Sequence, residues 1–148
     1  MRGTYSEVTT KIRRPPELDL PRVLVAAPTA TASASIVQAL RDAGYVVSTT
    51  LTGTDILRTL RSHNAIELLV LDAAETPWTV PSTIDAVRAI NWALPIVLIA
   101  GSDPVLRAEA ERFGVEAILE APVTAEEIRR TATKLVPVLP EVELDLAG

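Results

Sequence analysis

Seven residues, Ile66-Glu67-Leu68-Leu69-Val70-Leu71-Asp72, constrain this chain more than any others. All but Glu67 and Asp72 are aliphatic, and the run is too short for a helix and too evenly apolar for a strand with one wet face. It reads as a central strand of a parallel sheet that helices cover on both sides. In open sheets of this kind, ligands and chemistry gather at the carboxyl ends of the strands. Asp72 stands at such an end, so the rest of the chain is read for groups that support chemistry there.

The other elements follow in order. Aliphatic strands are expected at 22–26, 45–49, 95–100 and 115–119. Between them, helical periodicity places Ile36, Val37, Leu40 and Ala43 on one face of a helix over about 31–43, with Gly44 as its stop. A second helix runs from the Thr52-Gly53 turn through Asp55 to His63 with Ile56, Leu57 and Leu60 inward, and a third carries Ile84, Val87 and Ile90. Asp103-Pro104 is an N-cap and first-turn proline opening a fourth helix, which buries Leu106, Ala110 and Phe113 and stops at Gly114. Thr124-Ala125-Glu126-Glu127 is a capping box with Val123 and Ile128 as its staple, opening a helix with Ile128, Ala132, Leu135 and Val136 inward. Five strands alternating with five helices make a (βα)5 unit, an α/β fold doubly wound by right-handed crossovers. Residues 1–20 read as a flexible tail, 21–137 as the domain, and 138–148 as a second tail, although Val142-Glu143-Leu144-Asp145 also alternates as an edge strand does. The Glu-Leu-Asp-Leu at both 17–20 and 143–146 is taken as chance.

Composition narrows the function classes. A net charge of −5 argues against a nucleic-acid partner, which needs a basic face. The one basic cluster, Lys11-Ile12-Arg13-Arg14 before Pro15-Pro16, reads as a solvated linker. No apolar run is long enough to cross a membrane and no leader is visible, so a cytoplasmic protein with no membrane partner is expected. Without cysteine there is neither a disulfide framework nor a thiolate metal site.

Several fragments, in order over about 22–136, carry a resemblance. They are Val23-Leu24-Val25, Gly44-Tyr45-Val46-Val47, Leu68-Leu69-Val70-Leu71-Asp72, Pro95-Ile96-Val97-Leu98, Gly114, and Ala121-Pro122-Val123-Thr124. So ordered, the chain resembles the receiver domain of bacterial two-component response regulators. The resemblance implies a flavodoxin-like fold with a five-stranded parallel sheet in the order 2-1-3-4-5. It also implies phosphoryl transfer from a histidine kinase to an aspartate, using an acidic pair, Mg²⁺, a hydroxyl residue and a lysine. The chemistry needs them because a phosphoryl group carries several negative charges, and a carboxylate accepts it only beside a metal and fixed donors.

Against that pattern, Asp72 falls on the acceptor position and its partners do not. Ala27 and Pro28 replace the acidic pair, Ala100 the hydroxyl residue, Ala121 the lysine, and Ile118 the aromatic of the conformational switch. The loop proline also comes late, with Thr76 in its place and Pro77 next. Glu75 and Glu120 lie close in sequence, but a glutamate does not replace a lysine. The expectation is a degenerate or pseudo-receiver, not an enzyme, with no cofactor or metal. It would act as a phosphorylation-independent interaction module in two-component signalling. Its partner would be another signalling protein or a second copy, bound through the face of helix four, strand five and helix five bearing Arg107, Glu111, Arg129, Arg130 and Thr133. The alternatives are a phosphoacceptor at Asp72 using Mg²⁺, and a small-ligand-binding α/β domain. Against the last, Ala27-Pro28-Thr29-Ala30 lacks the glycines of a phosphate loop. Asp72 itself reads as an aspartate satisfied by loop amides or water, His63 as a surface residue, and Trp78 and Trp92 as covers for the sheet edge, with partner anchoring as their alternative.

Overall fold

In a strand, successive side chains point to opposite faces of the sheet. A strand apolar at every position therefore demands cover on both. The computed structural model describes residues 9–12, 20–51, 53–62, 65–73, 80–102, 104–138 and 142–145. In chain order the elements are β1 (Thr9–Ile12), β2 (Arg22–Ala26), α1 (Ala30–Asp42), β3 (Val46–Thr50), α2 (Gly53–Ser62), β4 (Ile66–Asp72) and α3 (Val80–Ile90). They continue with β5 (Ile96–Ala100), α4 (Pro104–Arg112), β6 (Ala117–Glu120), α5 (Ala125–Leu135) and β7 (Val142–Asp145).

Five strands form one parallel sheet in the order β3-β2-β4-β5-β6, with β4 in the centre. This is the 2-1-3-4-5 winding the sequence predicts. Alternation divides the core in two. Leu24, Leu69, Leu71 and Leu98 face Ile56, Ile84, Val87 and Leu106, so α2, α3 and α4 cover one side. Val23, Val25, Val70 and Ile99 face Ile36, Leu40, Ile128 and Ala132, so α1 and α5 cover the other. Leu68, Leu69 and Val70 are fully buried. Each such side chain contributes roughly 1.5–3 kcal/mol by leaving water, which makes this strand the least replaceable part of the fold. Glu67 is the exposed exception, at a register shift where Arg22 aligns with Ile66 but Val23 with Leu68. The extra residue turns Glu67 out of the core.

The helix punctuation matches the sequence at several points. Thr29 caps α1, its side chain accepting the Ala32 N–H at 3.0 Å, and Gly44 follows with φ +102°. The Thr124–Glu127 capping box is complete.

Four expectations are corrected. Phe113 is 38% exposed rather than buried, because α4 ends at Arg112 and Phe113 lies in the turn that Gly114 completes. Strand β6 starts at Ala117, not at 115, because Glu116 still belongs to the turn and its carboxylate accepts the Ile96 N–H. Trp92 is 82% exposed and covers no sheet edge: it precedes β5, which already has β6 outside it. The two stretches read as tails contain an antiparallel ribbon, β1 with β7, in which Thr9 aligns with Asp145 and Ile12 with Val142. The period-two alternation at 142–145 was satisfied by a partner strand from the other end of the chain. The expectations at Arg13 to Asp19, Thr52, His63, Glu75, Thr76, Pro77, Trp78 and Asp103 lie outside the described residues. Among the described residues no helix is long and apolar enough to cross a membrane.

Candidate functional site

Parallel strands bring their carboxyl ends to one rim, and the ladder runs one residue past several of them. The Ala73 N–H donates to Ile99 O at 2.9 Å, the Ala121 N–H to Ala100 O at 2.9 Å, and the Ala27 N–H to Thr50 O at 3.1 Å. The loops that leave the sheet are thus held in register where the sequence places the candidate site. A cleft of about 400 Å³ opens there, on the side covered by α1 and α5.

Asp72 lines it, in register with Ile99 and only 7% exposed. Pro28 enters from the loop after β2, and Ala32, Ser35 and Ile36 from the first turns of α1. Ile99 and Gly101 come from the end of β5, and Ala121, Pro122 and Val123 from the connection into α5, whose Ala121–Pro122 peptide is cis. Asp72 is the only charged side chain among the described residues of this lining. No group of three or more His, Cys, Asp or Glu among the described residues could hold a metal ion. A single carboxylate is a poor match for Mg²⁺, which demands near-octahedral oxygen ligation.

The structure brings together three of the positions that the sequence singles out: Asp72, Pro28 and Ala121 share the cleft. Ala27 and Ala100 do not line it; they are 1% and 0% exposed, inside the sheet ends. Ile118 is half-buried against the core on the α2–α4 side. Ser35, Ile99, Gly101 and Val123 complete the cleft and are not singled out as site residues by the sequence. Ser35 and Gly101 carry no sequence signal beyond position, in the first turns of a helix and just past a strand, while Ile99 reads only as a strand residue and Val123 as a helix staple.

The proposed interaction residues straddle the edge strand β6. Arg107 and Glu111 stand on α4, which packs on one side of the sheet; Arg129, Arg130 and Thr133 stand on α5, on the other. Glu111, Arg129 and Arg130 are exposed, whereas Arg107 and Thr133 are half-buried. The arginines are engaged along the helix. Glu126 accepts from Arg129 through both carboxylate oxygens and from Arg130 at 3.3 Å. The hydrogen bond from Arg129 holds the Glu126 carboxyl below the ordinary range, and the nearby arginine charges add to it. Thr133 donates back to the Arg129 carbonyl at 2.9 Å.

No family model and no curated protein matches the chain. Solved structures do. A response regulator receiver domain protein from Clostridium thermocellum superposes with a TM-score of 0.72 at 20% identity, over 79% of this chain and 94% of that one. Vibrio cholerae chemotaxis protein CheY4 superposes with 0.69 at 21% identity, over 79% and 99%. A protein described as pilus assembly-related, from Burkholderia pseudomallei, superposes with 0.68 at 20% identity, over 82% and 92%. These likenesses show the fold, the flavodoxin-like fold of receiver domains.

Proposed function

We propose that this chain is a pseudo-receiver: a phosphorylation-independent protein–protein interaction module of bacterial two-component signalling, not an enzyme and with no cofactor. The carrying observation is the composition of the cleft around Asp72. Where phosphoryl transfer needs a second carboxylate, a hydroxyl and a lysine, this chain has Pro28 lining the cleft, Ala100 buried beside it and Ala121 opposite. A carboxylate in apolar surroundings repels a phosphoryl donor, and removing the parts of a cooperating site together costs nearly all of its rate. A fold common to response regulator receivers and to a protein described as pilus assembly-related fits a scaffold with more than one use.

Binding is assigned to the surface around β6, with another signalling protein or a second copy as the partner. The β6 residues Ala117, Ile118 and Leu119 are half-buried, and the sheet ends there. With Ala100 and Ile118 at the switch positions, this surface has no phosphorylation-driven moving part, so its affinity carries no penalty for a sparsely populated competent state.

The test combines intact mass after acetyl phosphate treatment, with and without Mg²⁺, and a binding assay against the cognate partner or the chain itself. No phosphoryl adduct is expected. Reversal of charge at Arg129 and Arg130 should weaken binding, and Asp72→Asn should leave it unchanged. A phosphoryl adduct that disappears in Asp72→Asn would establish the alternative, a phosphoacceptor at Asp72, which the carboxylate's place in the cleft favours.

A further inference from the structure

A second cavity lies across the sheet from the Asp72 cleft, between the first turns of α2 and α3. These helices follow β3 and β4 and pack side by side, so their amino-terminal ends share one rim of the parallel sheet. The cavity holds about 300 Å³, at the lower end of small-molecule sites, roughly 300–1,000 Å³. Gly53, Thr54 and Leu57 of α2 line it with Ser82, Thr83 and Ala86 of α3. Three hydroxyls thus gather there, and no charged side chain stands among the described residues of the lining. Thr83 is only 7% exposed, yet its hydroxyl has no hydrogen-bond partner among the described residues. A Cβ on Gly53 would come within 3.3 Å of that oxygen, so Thr83 Oγ1 faces α2 across the cavity and the glycine keeps the space open. A buried hydroxyl left without a partner costs free energy, which a ligand that bonds it recovers.

We propose that this cavity binds a tetrahedral oxyanion, inorganic phosphate or the phosphate of a small monoester, through the Thr54, Ser82 and Thr83 hydroxyls and the first-turn amides of α2 and α3. The first N–H groups of a helix have no intrahelical acceptor, and the aligned peptide dipoles give that end a positive potential. Gly53 and Thr54 open α2, and Ser82 is the third residue of α3, so both helix ends supply such donors beside the hydroxyls. Leu57 and Ala86, half-buried one turn further along, give the body of an ester an apolar surface.

The competing ligand classes fit less well. A cation finds no carboxylate in the described lining and meets the positive ends of two helices. A neutral polyol reaches the same hydroxyls but gains nothing from that potential. Asp55, in the first turn of α2, is the nearest carboxylate in the chain to this lining; it lies outside it and pairs with Arg58 at 3.2 Å. The site is separate from the β6 surface and does not rest on the reading given to that surface.

The test is an amide-resolved NMR titration of the full chain with inorganic phosphate and phenyl phosphate at fixed ionic strength, against chloride, glycerol and phenol. The two phosphates should shift the Gly53, Thr54, Ser82 and Thr83 amides saturably, and the three controls should leave them in place. Thr83→Val keeps the side-chain shape and removes the hydroxyl, so it should weaken phosphate binding by about tenfold or more, the worth of a hydrogen bond to a charged partner. Gly53→Ala places a methyl group 3.3 Å from the Thr83 hydroxyl oxygen at a position without positive φ. It should abolish binding while the remaining spectrum stays native, and this variant decides the matter if Thr83→Val does not fold. Tighter binding of phenyl phosphate than of inorganic phosphate assigns the site to an organic monoester, and equal or weaker binding to the free ion. Absence of a saturable shift with either phosphate, equal binding of glycerol, or phosphate binding indifferent to both variants overturns the proposal. Loss of partner binding at the β6 surface after Arg129 and Arg130 reversal is a separate readout and leaves this one untouched.

Discussion

Tyr45 ties together two points far apart in the chain. Its hydroxyl donates to the Val136 carbonyl at 2.5 Å across a separation of 91 residues, joining the start of β3 to the end of α5. Burial raises the phenol above its ordinary pKa of 10.0, and the Glu67 charge adds to the shift. The folded state therefore favours the neutral phenol. Its stabilising contribution is complete below pH 10.0 and is lost as pH rises through the raised value. Alkaline unfolding should accordingly become less pH-dependent in Tyr45→Phe, which should also cost about 1–2 kcal/mol at neutral pH through the orphaned carbonyl. Urea melts across the alkaline range check both. Gly44 and Gly114 form a second comparison. Both have positive φ, +102° and +72°, but a Cβ on Gly44 would meet Val138 Cγ1 at 3.2 Å, whereas one on Gly114 would meet nothing within 4 Å. Gly114→Ala should cost about 1 kcal/mol of backbone strain, and Gly44→Ala more, because Val138 must also move. Reversed order in denaturation midpoints would contradict this account.

At the scale of elements, the amino-terminal end of the sheet depends on Arg88. From α3 it donates to the Trp92 carbonyl at 3.2 Å, to the Leu94 carbonyl, to the Gly114 carbonyl at 3.2 Å and to the Glu116 carboxylate at 3.1 Å. Glu116 in turn accepts the Ile96 N–H at 2.7 Å. One guanidinium therefore holds the turns entering β5 and β6, and its loss leaves the part-buried Leu94 carbonyl without this donor. Arg88→Ala should destabilise the protein by about 1–3 kcal/mol, and Arg88→Lys should recover little, since an ammonium lacks the planar fork that spans these acceptors. Thermal melts of the two variants give the comparison. The same turns carry the exposed Phe113 and Trp92, and the Trp92 carbonyl is one of the acceptors of Arg88.

For the molecule as a whole, the two cores meet at β4, whereas the β1–β7 ribbon forms a sheet of its own. A two-stranded ribbon with four residues in each strand is marginal in water by itself. Residues 20–138 hold every element of both cores and also Val138, which abuts Gly44. A truncation to that span should keep a single cooperative melt with helix content close to that of the full chain, as expected of one small domain. Loss of cooperativity would mean that the ribbon is part of the folding unit.

Local chemistry by itself determined the five parallel strands, their helices and the acidic position at Asp72. Burial on both faces leaves an uninterrupted aliphatic run, and caps such as Thr124 and stops such as Gly44 act within a few residues of themselves. Two features were decided only by tertiary structure, for one reason. The cleft takes its walls from α1, β5 and the loop into α5, segments far apart in the chain that meet only when the parallel strand ends converge. The ribbon joins Thr9–Ile12 to Val142–Asp145 across the length of the domain, and pairing at that separation leaves no periodic trace that identifies the partner strand.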